Sequence, residues 1–233
     1  MINMNFIARG WTDPPTKVGL QDYKKSLVAI IFGDRRIWLL SCAQASLHFS
    51  TALVWIVWAP TVVADGREVH LGLMYPCFMG ARMLGSSLLP WFTTSGLSAL
   101  RTEDFILYSF IISGLVLSFV AYDYQEIGVL LVLFCIFHAC AGLMLPSLAR
   151  LRTMYVPNEC RAAMMSMSLV PAFAALLLTI YVGGYRKIIY NSTMMAVAAF
   201  SLFVAAGCMY MLKRSAYNGE TLMLIARVLL HSG

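Results

Sequence analysis

The sequence predicts an all-α integral membrane protein, and three observations support this fold class. Hydrophobic residues make up 60% of the 233 residues and charged residues only 12%, far from the composition of a water-soluble domain. Apolar runs of about 20 residues, the length of a helix that crosses the hydrocarbon core, recur along the chain. Runs such as IGVLLVLFCIF (127–137) are apolar on every face, whereas strands of a membrane barrel alternate polar and apolar residues.

Six transmembrane helices are predicted from the apolar runs. They cover residues 37–60, 70–91, 105–122, 127–146, 163–183 and 192–212. Because proline removes a backbone hydrogen bond, Pro60, Pro90 and Pro146 are expected to end the first, second and fourth helices. Gly183 and Gly184 are expected to end the fifth helix, since glycine is common just past a helix C-terminus.

The chain divides into three predicted segments. Residues 1–36 form an N-terminal segment in which QDYKKSLVAIIFG (21–33) resembles a short helix along the membrane surface. Residues 37–212 form the six-helix membrane domain, and residues 213–233 form a C-terminal amphipathic helix that Asn218 could cap. The N-terminus lacks the apolar core of a secretory signal, and no soluble domain is predicted.

The distribution of positive charge predicts the topology, because Lys and Arg accumulate on the side from which helices insert. With the N-terminus inside, most of the 17 Lys and Arg residues fall on the inner side. The exceptions are Arg67, Arg186 and Lys187 on the outer side and Arg82 within the second span. Both termini are therefore predicted on the cytoplasmic or matrix-type side, and the net charge of +6 reflects this asymmetry rather than nucleic-acid binding.

The sequence contains no motif that points to an enzyme, a cofactor or a metal. Most cysteines lie inside the predicted spans, without CxxC or Cys/His metal spacing. Paired carboxylates, a Ser/His/Asp set and a phosphate-binding glycine loop are not found. We therefore predict a non-enzymatic protein that binds no cofactor and no metal.

Polar residues line one face of the first span. They recur at steps of three, four and three residues: Ser41, Gln44, His48 and Thr51. In the fourth span, His138 lies between Cys135 and Gly142 on a similar, weaker stripe, and a proline follows the histidine in both spans. Each histidine either donates to a carbonyl of a neighbouring helix or belongs to a polar path. The shared pattern indicates a repeat of three helices and predicts that His48 and His138 both face the bundle interior or a cavity.

Arg82 is the most unusual residue of the predicted spans. It lies about 12 Å from the helix end marked by Pro90, where burial of an arginine costs at least about 3 kcal/mol. All 11 acidic residues lie outside the predicted spans, so no carboxylate of this chain is expected at its depth. Three explanations remain open, namely snorkelling or bonding to helix carbonyls, an acidic partner on another chain, and an anionic ligand.

Several motifs of the chain are combined in one known family. They are AQ (43–44) followed by W-x-P (58–60), the block FMGARMLGSS (78–87), and a long block from Phe134 to Pro171. Over roughly residues 24–214 the chain resembles the C-terminal six-helix half of the molybdate-anion transporter family, a branch of the major facilitator superfamily. The resemblance implies two inverted three-helix repeats and a cavity normally shared with an N-terminal half.

The chain departs from the pattern of this family at the polar positions. His48 and His138 stand where family members tend to carry glutamate, and Leu169 stands where they tend to carry arginine. Arg82 occupies a position that is usually small in the family. Histidine could still carry protons and Arg82 could supply a relocated anion site, but loss of transport is the simpler account of these departures.

The expected function follows from the six-helix count. A transporter of this superfamily needs two six-helix halves, so a single half that starts at Met1 needs a second chain, a second copy or a larger complex. We predict a transporter-derived accessory subunit of a large membrane complex, placed in the mitochondrial inner membrane and in contact with lipid and with other subunits. The alternative is a half-size transporter, homodimeric or split, for molybdate or a similar oxyanion. Gln44, His48, Thr51, Arg82 and His138 are the candidate cavity or ligand residues.

Overall fold

The computed structural model of the chain is entirely α-helical apart from short connections. It describes residues 33–63, 70–94, 102–122, 126–158, 161–186 and 191–231. These residues form six helices: α1 (Arg35–Val63), α2 (Leu71–Thr94), α3 (Thr102–Ala121), α4 (Ile127–Tyr155), α5 (Arg161–Arg186) and α6 (Asn191–His231). The all-α prediction is confirmed for this part of the chain. The predicted surface helix near the N-terminus lies outside the described residues.

Most of the helices have the length and composition of membrane spans. Five segments are long and apolar enough to cross a bilayer: α1, α3, α4, Arg161–Tyr181 of α5 and Asn191–Ser215 of α6. Helix α2 has 24 residues and is about 36 Å long, but Arg82 and two prolines lower its hydropathy. The length and composition of five helices thus support an integral membrane protein.

Three prolines that were expected to end helices lie inside them. Pro60, Pro90 and Pro146 belong to α1, α2 and α4, so each of these helices is longer than predicted. Proline removes one backbone hydrogen bond, and in a membrane helix neighbouring helices and local adjustments can compensate for this loss. As a result, α4 continues to Tyr155 and includes Arg152 in its last turn.

The last helix is continuous. Helix α6 has 41 residues and passes through Asn218 without a break, so residues 213–231 are helical as part of α6, and Asn218 does not cap a second helix. Asn218 and Gly219 lower helix propensity by about 1 kcal/mol or less each, which a long helix can absorb. At about 61 Å, α6 is roughly twice as long as the hydrocarbon core is thick. The helix therefore continues past Lys213 and Arg214, where its apolar run is interrupted.

Helices α1 and α4 lie at the centre of the bundle. Helix α1 packs against α4, α5 and α6, and α4 packs against α1, α2 and α3. Helix α3 also packs against α6. If α1 is exchanged with α4, α2 with α5 and α3 with α6, the same principal helix pairs are obtained.

Individual contacts fix the directions of neighbouring helices. Arg36 Nη2 donates to the Ser215 carbonyl (3.4 Å), and Ser50 Oγ donates to the Ala198 carbonyl (3.0 Å). The position on α6 decreases as the position on α1 increases, so these two helices are antiparallel. The contact of Arg36 with Ser215 also places the start of α1 and residue 215 of α6 at the same end of the bundle.

The backbones of α2 and α4 touch at two glycines. A Cβ atom added to Gly142 would overlap the Arg82 carbonyl group, with the carbonyl carbon 2.9 Å away. A Cβ atom added to Gly85 would overlap the Ala139 carbonyl group, with its carbon at 2.7 Å. Small residues allow such close approach of membrane helices. The relative direction of α2 and α4 follows from the ends of the bundle. Tyr155 at the end of α4 bonds to Glu103, beside the Asp104–Lys213 pair and thus at the end where α1 begins, so α4 begins at the opposite end, where α1 finishes and α2 starts. Helices α2 and α4 therefore run parallel.

Two acidic residues that were placed outside the spans begin α3 and are buried. Glu103 and Asp104 are 7% and 8% exposed in the first turn of this helix, where negative charge complements the helix dipole. Glu103 accepts a hydrogen bond from the Tyr155 hydroxyl of α4, and Asp104 pairs with Lys213 of α6. These contacts join three helices at one end of the bundle.

Candidate functional site

His138 lies inside the bundle, against aromatic rings. Its side chain is 0% exposed. The centroid of its ring is 4.6 Å from that of Trp55, 5.2 Å from that of Phe78, which stacks on it, and 5.3 Å from that of Phe137. Neither ring nitrogen has a hydrogen-bond partner among the described residues. A buried polar group without a partner costs about 1–3 kcal/mol, so the unpaired nitrogens of His138 lower the stability of the bundle.

Gln44 and His48 form a second polar group, one helical turn apart on α1. Gln44 is 5% exposed, and its Nε2 atom lies 3.5 Å from His48 Nε2 and 3.3 Å from the Met165 sulfur of α5. The Gln44 Oε1 atom has no partner among the described residues. The amide therefore retains an acceptor at the junction of α1 and α5.

Arg152 joins this group, although it lies beyond the predicted end of the fourth span at residue 146. Its guanidinium contacts the same Met165 sulfur that Gln44 contacts, and its charge acts on the His48 ring. The spacing of Arg152 from His138 could have indicated this position. Residues 138, 145 and 152 follow one another at intervals of seven and therefore share one face of a continuous helix. We missed it because α4 was expected to end at Pro146.

Arg82 is half-buried on α2 and lies deeper than predicted. The helix continues past Pro90 to Thr94, about 18 Å beyond Arg82 along the axis. Its backbone touches Gly142, near the middle of α4. Within the described residues Arg82 forms no ion pair or hydrogen bond, while its charge acts on both His48 and His138.

The structure brings most of the predicted residues to one region, at two depths. Trp55 contacts His138 and lies seven residues after His48, so the two histidines are offset by about 10 Å along α1. Thr51 lies between these levels and is half-buried. We call Gln44, His48, Arg82, His138 and Arg152 the polar face. Its charged groups are the two arginines, since the buried carboxylates Glu103 and Asp104 pair elsewhere.

The polar face has the chemistry of an anion site. It presents two guanidinium groups, an amide and the His48 imidazole, which together supply many hydrogen-bond donors, whereas the His138 ring is enclosed by aromatic rings. Among the described residues no group of three or more His, Cys, Asp or Glu side chains could hold a metal ion. The set therefore favours a small anion with several acceptor oxygens over a cation.

Comparison of the chain with protein-family models, with curated proteins and with solved structures finds no match.

Proposed function

We propose that this chain is one six-helix half of a transporter for a small oxyanion, of the major facilitator class, and works with a second six-helix half. The observation that carries the proposal is that two half-buried arginines, Arg82 of α2 and Arg152 of α4, have no carboxylate partner among the described residues, and that Arg152 contacts the same Met165 sulfur as Gln44 of α1. Like charges repel strongly in a medium of low dielectric constant. A mobile oxyanion between them would relieve this repulsion and could accept paired hydrogen bonds from each guanidinium.

The helix packing supports the proposed fold class. In a structure of two three-helix repeats, each principal helix pair should have a counterpart in which every helix is replaced by its repeat partner. The pair of α2 with α4 corresponds to that of α5 with α1, and the pair of α1 with α6 to that of α4 with α3. Transporters place their sites between such repeats near the midplane of the membrane. In this proposal α2, which runs parallel to α4, also crosses the membrane and completes the set of six spans.

Anion binding by the purified chain in lipid nanodiscs tests the proposal. Molybdate, sulfate or phosphate is titrated, and the rise in melting temperature is measured, because a ligand that binds only the folded state stabilises it. We expect at least one of these oxyanions to raise the melting temperature where chloride at equal ionic strength does not. Arg152→Leu and Arg82→Leu should each reduce the apparent affinity more than about 10-fold, which corresponds to about 1.4 kcal/mol.

Arg150→Leu is the matched control, because Arg150 is exposed on the same helix two residues before Arg152. It should bind the oxyanion as the unmodified chain does. If Arg150→Leu and Arg152→Leu lost binding equally, the anion would be responding to the overall positive charge of the chain, and the proposed site would be refuted. Uptake of the same anion into vesicles that also contain a second half, or a second copy, then tests transport itself.

A transporter-derived accessory subunit of a large membrane complex is the second candidate. It is favoured by the closed surroundings of His138, where three aromatic rings occupy the place of an open polar path. Large apolar side chains are also exposed on the outer helices, including Leu73 (71%) and Met83 (72%) of α2 and Leu177 (68%) of α5. Such surfaces fit lipid or the helices of neighbouring subunits.

Purification from native membranes distinguishes the two candidates. A subunit comigrates at fixed stoichiometry with a complex much heavier than a dimer, whereas a transporter half remains alone or with one similar half. In a complex whose neighbouring chain supplies a carboxylate to Arg82, Arg82→Leu should block assembly, because the buried partner charge is left uncompensated at about 3–5 kcal/mol. Normal assembly with lost oxyanion uptake would refute the subunit. Fractionation of organelles tests the predicted mitochondrial inner membrane.

A further inference from the structure

Cys42 of α1 and Cys208 of α6 face each other across the interface of these two helices. The contacts on either side fix the antiparallel register: Arg35 Nη2 lies 3.9 Å from the Met211 sulfur, and Ser50 bonds to the Ala198 carbonyl. In each of these pairs the two residue numbers add to about the same value, as they do for Cys42 and Cys208. The register of the two helices therefore places the two thiols opposite each other.

The interface has dimensions that suit a disulfide. Packed helices have axes about 8–10 Å apart, and the Cα atoms lie about 2.3 Å from each axis. Facing Cα atoms are then separated by about 3.4–5.4 Å, and somewhat more when they lie off the line between the axes. Bridged cysteines have Cα atoms about 4.4–6.8 Å apart. Cys42 and Cys208 are both free and only partly buried, and facing positions of helices packed at these distances suit a disulfide.

We propose that Cys42 and Cys208 are a redox-active thiol pair, which hydrogen peroxide or a similar hydroperoxide converts to an intramolecular disulfide between α1 and α6. One thiol loses its proton, and its thiolate attacks a peroxide oxygen; the O–O bond breaks, and the leaving hydroxide takes up that proton, so that a sulfenic acid and water form. The second thiolate attacks the sulfenic sulfur, the S–O bond breaks, and a second water leaves. Two thiols and one hydrogen peroxide thus give one disulfide and two waters.

Cys42 is assigned as the attacking thiol. Ser46 lies one turn further along α1 on the same side of the helix, so its hydroxyl can reach the Cys42 sulfur. A hydroxyl donor stabilises a thiolate, and the thiolate is the form that reacts with peroxide. Both thiols lie about 9–11 Å from the end of the bundle marked by Arg36 and Ser215, which a small neutral oxidant can reach.

Oxidation would attach the central helix α1 covalently to α6. The other contacts between these helices are non-covalent, namely apolar packing and hydrogen bonds such as that of Ser50 with the Ala198 carbonyl. A covalent bond would prevent the separation of α1 from α6 whether the chain is a transporter half or a subunit. The inference is thus independent of the proposed function.

The experiment treats the full chain in lipid nanodiscs with hydrogen peroxide, blocks remaining thiols with an alkylating reagent, and maps the peptides by mass spectrometry without reduction. We expect a peptide pair joined through Cys42 and Cys208, lighter than the two reduced peptides by two hydrogen masses. Dithiothreitol should separate the pair. The melting temperature should rise on oxidation and return on reduction.

Three variants complete the test. Cys42→Ser and Cys208→Ser should each abolish the joined pair, and Cys208→Ser should leave Cys42 as a sulfenic acid that dimedone traps. Cys140→Ser is the matched control, because Cys140 is also partly buried but lies on α4, and it should preserve the joined pair. Disulfides that join other cysteines instead, or oxidation of Cys42 and Cys208 to separate acids without a joined pair in the unmodified chain, would overturn the proposal.

Discussion

The Tyr155 hydroxyl donates a 2.7 Å hydrogen bond to the Glu103 carboxylate and thereby joins the end of α4 to the first turn of α3. Glu103 is 7% exposed, so its carboxylate depends on protein donors. Next to it, Asp104 pairs with Lys213 of α6. One end of the bundle is therefore held by two buried acids, each with a partner on a different helix.

Tyr155→Phe should destabilise the bundle, because it removes the donor and leaves a buried carboxylate oxygen unpaired. Hydrogen bonds to charged groups contribute about 1.5–3 kcal/mol, and we expect a loss of that size in the free energy of unfolding in detergent. Tyr210→Phe is the control, since Tyr210 is 56% exposed on α6. Equal stability of the two variants would contradict a structural role for the bond.

Lys213→Gln should also lower the melting temperature, because it removes the partner of Asp104. Lys213 is 41% exposed while Asp104 is 11% exposed at its side chain, so salt can screen the pair from one side. We expect the difference from the unmodified chain to shrink when the NaCl concentration is raised from low to about 1 M, where the screening length is about 3 Å. Arg214→Gln changes the adjacent exposed charge and should have a smaller effect at low salt.

Gly142→Ala should disturb the packing of α2 on α4. The added methyl group would overlap the Arg82 carbonyl group. The methyl group is fixed to the backbone of α4 and the carbonyl belongs to the backbone of α2, so neither can rotate away. Overpacking of this kind costs about 1–3 kcal/mol or more. Gly128→Ala is the control on the same helix, because a Cβ atom there has no neighbour within 4 Å. The yield of folded protein and its melting temperature give the result, and a fully stable Gly142→Ala would refute the close approach.

His138→Phe should preserve or raise stability. The two imidazole nitrogens have no partner among the described residues, and the surrounding rings of Trp55, Phe78 and Phe137 suit a phenyl group. Removing a buried unpaired polar group recovers up to about 1–3 kcal/mol, partly offset by the slightly larger ring. Thermal unfolding in nanodiscs measures this change. A clear loss of stability would mean that the ring nitrogens are bonded in the folded protein.

Much of the fold could be predicted from the sequence, because membrane helices are specified locally. A run of about 20 apolar residues is sufficient to form a helix where no water can pair with the backbone. The class and the helix cores were therefore predictable, while the ends were not. Pro60, Pro90 and Pro146 are strong helix breakers in water, but neighbouring helices and the lack of competing water allowed the helices to continue.

The candidate site was predictable only in part. Spacing along one helix placed Gln44, His48 and Thr51 on a common face, since periodicity is a local property. The charge count identified Arg82 as an arginine without a partner of its own. Arg152 was missed, because its inclusion depends on the continuation of α4 past Pro146 and on its contact with Met165 of α5.

The sequence by itself determined the solvent in which the chain folds, the number of helices and the polar stripe of α1. Those features depend on composition and on spacing within one helix. Only the tertiary structure decided that His138 lies among aromatic rings from α1, α2 and α4, and that Cys42 faces Cys208. Such neighbours are far apart in the chain, and they meet through the rotation, register and direction of packed helices, which no single helix specifies.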